Sequence, residues 1–192
     1  MTNLRITLQL FLAATFLFSA YTKAVAPGFF EVLLEQQGLV PSRLYGAWAT
    51  RIIIAIETWL GLCLLLSFYT RFILRFSFLL LVAFSVHLGY LIAIGETGNC
   101  GCFGEMISMS PLASLGKNLL LLSVNGFLLR YKFRGNKKPL ITWLLLLLLF
   151  AAASLVWPVQ TQPDEVVDKI PMFEAETGID FANGSYLVAI FN

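Results

Sequence analysis

Residues 72–94 read FILRFSFLLLVAFSVHLGYLIAI, an apolar run broken by Arg75 near its start and His87 towards its end. A helix rises about 1.5 Å per residue, so a run of this length spans roughly the 30 Å of a bilayer's hydrocarbon core. Four further runs of similar character flank it, at about 4–25, 47–68, 112–129 and 140–157. The whole chain is 58% hydrophobic and 12% charged. An ordinary soluble domain carries charge on about a quarter of its residues, so a soluble globular fold is excluded. The expected architecture is an all-α integral membrane protein, a helical bundle of four core transmembrane helices plus a fifth. It occupies 1–157, followed by a short non-helical tail over 158–192. The lipid bilayer is its first partner, and no nucleic-acid partner is expected.

The first run is longer than a signal-peptide core and ends in Tyr21-Thr22-Lys23 rather than in a small-residue cleavage site, so it reads as a retained helix. Positive charge sets orientation. With five crossings, Arg5, Arg71, Arg75, Arg130, Lys132, Arg134, Lys137 and Lys138 share one side, which is then cytoplasmic along with the N-terminus. Every acid except Glu57 falls on the other side, together with the 27–46 segment, the 95–110 loop and the tail. Pro27 to Gly38 opens with proline, closes with glycine and spaces Phe30, Leu33, Leu34 and Gln37 as a helix does, which predicts a short interfacial helix. Ser110-Pro111 supplies an N-cap and a first-turn proline for the helix that follows.

Two of the three cysteines stand in the 95–110 loop, within Asn99-Cys100-Gly101-Cys102-Phe103-Gly104-Glu105. Glycine gives the backbone the freedom to bring the two sulfurs together, and a strained, exposed disulfide is readily exchanged. Three readings stay open: reversible dithiol–disulfide exchange, a structural bridge or idle thiols, and Cu(I) held by two thiolates. A zinc site would want two more ligands, and no metal is expected on the first reading. Cys63 lies deep in its span and reads as a small core residue.

Ionisable residues in hydrocarbon are costly and mark a site or an internal pair. Lys23, Arg51, Glu57, His87 and Lys117 all fall in the half of the bundle nearest the cysteines, with Lys23 expected near the surface. This pattern predicts a polar pocket beneath the loop for a quinone head group or a substrate thiol, with His87 as proton carrier and Glu57 paired to Lys117 or Arg51. The plainer reading is that Lys23, Arg51 and Lys117 snorkel and His87 bonds a carbonyl. Phe103 is placed to cover the sulfurs. Phe29, Phe30, Trp48, Trp143 and Trp157 read as interface belt or packing, and Asn118, Ser19 and Ser85 as hydrogen bonds between helices.

Over about residues 8–130 the chain resembles the DoxX-like membrane proteins and, more closely, the MauE group. The resemblance rests on Phe16 to Lys23, on Glu57-Thr58-Trp59-Leu60-Gly61-Leu62, and above all on Gly98 to Glu105 followed by Ser110-Pro111 and Lys117-Asn118. It implies a role in maturing disulfide-containing periplasmic client proteins from the bacterial inner membrane, with Cys100 and Cys102 as the redox pair beside a thioredoxin-like domain or protein. The run Tyr186 to Asn192 resembles the first core strand of such a domain, so the natural chain is expected to continue or to have been cut there. Quinone-linked bundles such as vitamin K epoxide reductase are similar in architecture only. The rival expectation is a non-catalytic assembly or copper-handling protein. A quinol-oxidase subunit is a weaker one, since His87 has no second histidine to share a haem.

Overall fold

The computed structural model describes residues 2–98, 100–103, 107–131 and 139–156, within one unit that runs from Met1 to Val159. The expected tail strand, the basic cluster at 132–138, Trp157, Asn99 and Glu105 lie outside the described residues. Among the described residues six helices follow in order: α1 Thr2–Val25, α2 Pro27–Gln36, α3 Arg43–Leu65, α4 Thr70–Ala93, α5 Pro111–Leu129 and α6 Pro139–Val156. Among them α1, α3, α4 and α5 are long and apolar enough to cross a bilayer, and α6 contains a shorter apolar stretch. The all-α membrane bundle is therefore the fold.

The boundaries have local causes. Helix α3 starts at Arg43, earlier than the expected 47, because the extended backbone of Ser42 lets the helix begin immediately after it. It stops at Leu65, short of 68, because Ser67 and Tyr69 take left-handed backbone angles (φ 55° and 43°) that turn the chain into α4. Pro27 opens α2, and the Ser110 hydroxyl caps α5 by accepting from the Ala113 N–H at 3.3 Å.

Helix α1 packs along α3, α4 along α5, and contacts of α1 with α5 and α3 with α4 close the bundle. The core is Leu12, Ala13 and Phe16 of α1 against Trp59, Leu60, Cys63 and Leu64 of α3, with Ile73 and Leu74 of α4 and Leu128 of α5. Gly61 makes the α1–α3 approach possible, since a Cβ there would sit 2.6 Å from the Leu17 side chain and 3.1 Å from the Ala13 carbonyl oxygen. Asn125 and Ser77 share a 2.7 Å hydrogen bond between α5 and α4. Helix α6 lies against α3, where the Trp59 indole N–H donates to the Thr142 carbonyl at 2.7 Å and the Trp59 and Trp143 rings stack at 5.6 Å. Trp143 and Trp48 are thus both ring partners of other aromatics, Trp48 pairing with Phe150, and outward-facing residues.

Candidate functional site

The 95–110 loop closes on itself where the Cys100 N–H donates to the Met109 carbonyl at 3.1 Å. Between the cysteines, Gly101 has φ +71°, and a Cβ on it would fall 2.2 Å from a Leu33 methyl carbon and 3.2 Å from the Phe30 ring. Helix α2 therefore sits directly on the turn that joins the two cysteines. All three cysteines are free thiols, and the sulfurs of Cys100 and Cys102 are close enough to hydrogen-bond.

Below this turn, α1 and α3 bring a buried ion pair to the loop backbone. Ser19 and Lys23 stand one turn apart on α1 and face Glu57 of α3. Lys23 Nζ lies 3.1 and 3.0 Å from the two Glu57 carboxylate oxygens, 2.7 Å from Ser19 Oγ and 3.0 Å from the Cys102 carbonyl. Ser19 Oγ is 3.0 Å from that same carbonyl and 3.2 Å from Glu57 Oε1. Lys23 is 2% and Glu57 3% exposed. Three of the ammonium's neighbours are thus an anion, a hydroxyl and the loop itself, which is the satisfaction that charge in a low-dielectric interior requires.

Two expectations are corrected here. The partner of Glu57 is Lys23, not Lys117 or Arg51. Gly61 draws α1 onto α3 and so sets the two against each other, while Arg51 faces α2, donating from Nη1 to Glu31 Oε1 at 3.0 Å and to the Ala47 carbonyl. Nor does Lys23 snorkel, because it is buried and Phe30 of α2 closes over it, its ring centroid 5.4 Å from Nζ.

A cavity of about 260 Å³ opens beneath the loop, lined mainly by apolar side chains of α1, α2, α4 and α5. Of the residues singled out in the sequence, Cys100, Cys102, Lys23, Glu57, His87, Lys117 and Asn118 line it, whereas Arg51 and Phe103 do not. His87 Nε2 shares a 2.9 Å hydrogen bond with Gln37 Oε1 at the edge of α2. Phe103 lies under Lys117, whose Nζ is 4.0 Å from the ring centroid, and meets Phe18 edge-on at 5.4 Å. Asn118, read as a bond between helices, is 3% exposed, and its amide nitrogen has no hydrogen-bond partner. A buried donor left open costs about 1–3 kcal/mol.

Ser114, Gln37, Glu31 and the central role of Ser19 were not singled out from sequence. A signal for Ser114 was present: it stands one turn from Lys117 and Asn118 on one face of α5, and its Oγ lies 2.8 Å from Cys100 Sγ. Among the described residues no group of three or more His, Cys, Asp or Glu gathers to hold a metal, so the Cu(I) reading rests on two thiols.

Residues 1–131 match the family model described as methylamine utilisation protein MauE, so the chain belongs to the MauE family and is a multi-pass membrane protein. It is 36% identical over 134 residues to Protein TlpB of Flavobacterium psychrophilum, an alignment covering 66% of this chain. The same alignment covers 35% of that relative, so the chain spans about a third of its length. No solved structure matches.

Proposed function

We propose that this protein is a thiol:disulfide relay of the bacterial inner membrane that supports maturation of periplasmic proteins. The observation that carries it is the paired thiols of Cys100 and Cys102 at the roof of a largely apolar cavity fed by a buried charge pair. The distribution of Arg and Lys along the sequence supports a periplasmic loop and a cytoplasmic N-terminus.

On the periplasmic side the partner is a dithiol of the thioredoxin-like class. Its thiolate attacks the Cys100–Cys102 disulfide, one sulfur–sulfur bond forms as the other breaks, and the partner's second thiol resolves the mixed disulfide. The partner leaves as a disulfide, and Cys100 and Cys102 hold its two electrons and one proton, the other having gone to water when the attacking thiolate formed. A quinone of the membrane would take up those two electrons, that proton and a second one from water as it becomes a quinol, restoring the loop disulfide. The residues fit such a head group: the open Asn118 amide suits a carbonyl oxygen, and Phe16, Leu34, Phe84 and Leu121 exclude water around it. His87 and the Lys23–Glu57 pair stand at the cavity wall, where they can pass protons.

Thiol trapping of the purified protein in graded glutathione buffers tests the relay, with Cys63 as internal control. A reversible two-electron transition between about −120 and −270 mV is expected. A bridge that resists reduction below about −300 mV, or thiols that never pair, overturns it. Reduction of a short-chain ubiquinone analogue by dithiothreitol, dependent on the protein and lost in Cys100→Ser, tests the acceptor.

A further inference from the structure

The two cysteines differ in their surroundings. Cys100 is 7% exposed and packs against Leu88 and Leu91 of α4, with its sulfur on the fully buried Ser114 hydroxyl. Lys117, one turn further along the same face of α5, brings positive charge near both sulfurs. Cys102 is only half-buried, and its backbone, not its sulfur, is what the Lys23–Ser19 network grips. Attack on a disulfide favours the accessible sulfur and expels the one that is the better thiolate.

Resting on the relay reading, we propose that Cys102 is the sulfur attacked by the partner thiolate and that Cys100 is the leaving thiolate, with Ser114 and Lys117 as its positioning residues. In that step the partner sulfur bonds to Cys102 Sγ, the Cys100–Cys102 bond breaks, and its electron pair stays on Cys100 Sγ. Ser114 Oγ–H donates to the new thiolate and Lys117 balances its charge. When the partner's second thiolate attacks its own bridged sulfur, Cys102 leaves and takes a proton. The loop then holds a hydrogen-bonded thiol–thiolate pair facing the cavity.

In the reduced pair that remains once the partner has left, the two thiols differ in acidity in the same sense. A hydrogen bond from the Cys102 thiol holds Cys100 well below the ordinary thiol range, helped by Ser114 and Lys117 and opposed by burial. That same hydrogen bond, together with burial, pushes Cys102 up. The charged and titratable groups facing the pair are Lys23 of α1, Glu57 of α3, His87 of α4 and Lys117 of α5.

The test uses the oxidised full-length protein in lipid nanodiscs, mixed with a thioredoxin whose resolving cysteine is replaced by serine, then quenched in acid and mapped by peptide mass spectrometry. The expected product is a mixed disulfide on Cys102 in at least about tenfold excess over Cys100. Equal or dominant capture on Cys100 overturns the assignment while leaving the relay intact. Capture on neither cysteine, with the loop disulfide still reducible by dithiothreitol, overturns the relay as well. For the positioning residues, the pH profile of iodoacetamide alkylation at Cys100 is followed in the reduced protein. Ser114→Ala and Lys117→Met should move it upward and slow alkylation at about pH 7 by threefold or more, with Ser114→Thr and Lys117→Arg restoring it. Profiles that stay in place in both variants remove Ser114 and Lys117 from the proposal.

Discussion

Along the seam between α1 and α3, the half built from Ala13, Leu17 and Gly61 is held by close contact, whereas the half built from Ser19, Lys23 and Glu57 is held by charge. The same two helices thus associate in two ways. The contact half is what helix association in a membrane ordinarily needs: a small residue and complementary shape. Charge adds no economy to that, because bringing an ammonium and a carboxylate into hydrocarbon is costly even when they meet. The difference teaches that the charged half serves the loop above it. Its ammonium and its hydroxyl both end on the Cys102 carbonyl.

Breaking the charged half should give the largest effect. Glu57→Leu leaves the Lys23 ammonium buried without its carboxylate, and thermal unfolding in detergent should show a loss of about 3–5 kcal/mol. The double variant Lys23→Met/Glu57→Leu should recover most of that loss, since a matched apolar pair removes both charges. It should still exchange thiols slowly, because no ammonium then holds the Cys102 carbonyl. Recovery of both stability and exchange would place the charged half with the contact half, as packing alone.

Breaking the contact half should cost less and leave the chemistry alone. Gly61→Leu drives a side chain into Leu17 and the Ala13 carbonyl, for a loss of about 1–3 kcal/mol. The midpoint of the Cys100/Cys102 redox titration should not move. Gly101→Ala is the sharper probe of the loop: a left-handed alanine costs roughly 1–2 kcal/mol before its clash with Leu33 is counted. Pairing it with Leu33→Ala should restore part of the exchange rate lost in the single variant.

The smallest expected change in stability is at Asn118. Asn118→Leu removes a buried donor that bonds nothing, so stability should rise, by about 1 kcal/mol. Reduction of the short-chain quinone analogue should nonetheless fall about tenfold, the worth of one hydrogen bond at roughly 1.4 kcal/mol. Unchanged quinone kinetics would move the acceptor away from this part of the cavity.

Much of this was legible in the sequence, for identifiable reasons. Hydropathy and length decide where a helix crosses, so α1, α3, α4 and α5 could be read directly, and Pro27 with Gly38 bounded α2. The Ser110 cap was legible because capping is local. What could not be read was which face of each helix meets which neighbour. Glu57 was expected to pair with Lys117 or Arg51, and that it meets Lys23 instead depends on helix rotation about the Gly61 contact, a tertiary quantity. Ser19 was underestimated for the same reason: a serine in a span bonds its own helix or another, and nothing local says that its acceptor is a loop carbonyl. Glu31 could be assigned only to the side of the membrane opposite the basic residues, and its partner depends on how α2 lies on α3, where Gly46 brings the two backbones close enough for Arg51 to meet it.

The seating of Leu33 and Phe30 on Gly101 ties the geometry of the dithiol turn to α2. A designer who moves the Cys-Gly-Cys turn into another bundle without α2 moves two cysteines but not the helix packed on the turn between them. Lengthening the spacer by one residue, to make a Cys-x-x-Cys, would demand that α2 be redesigned in the same step.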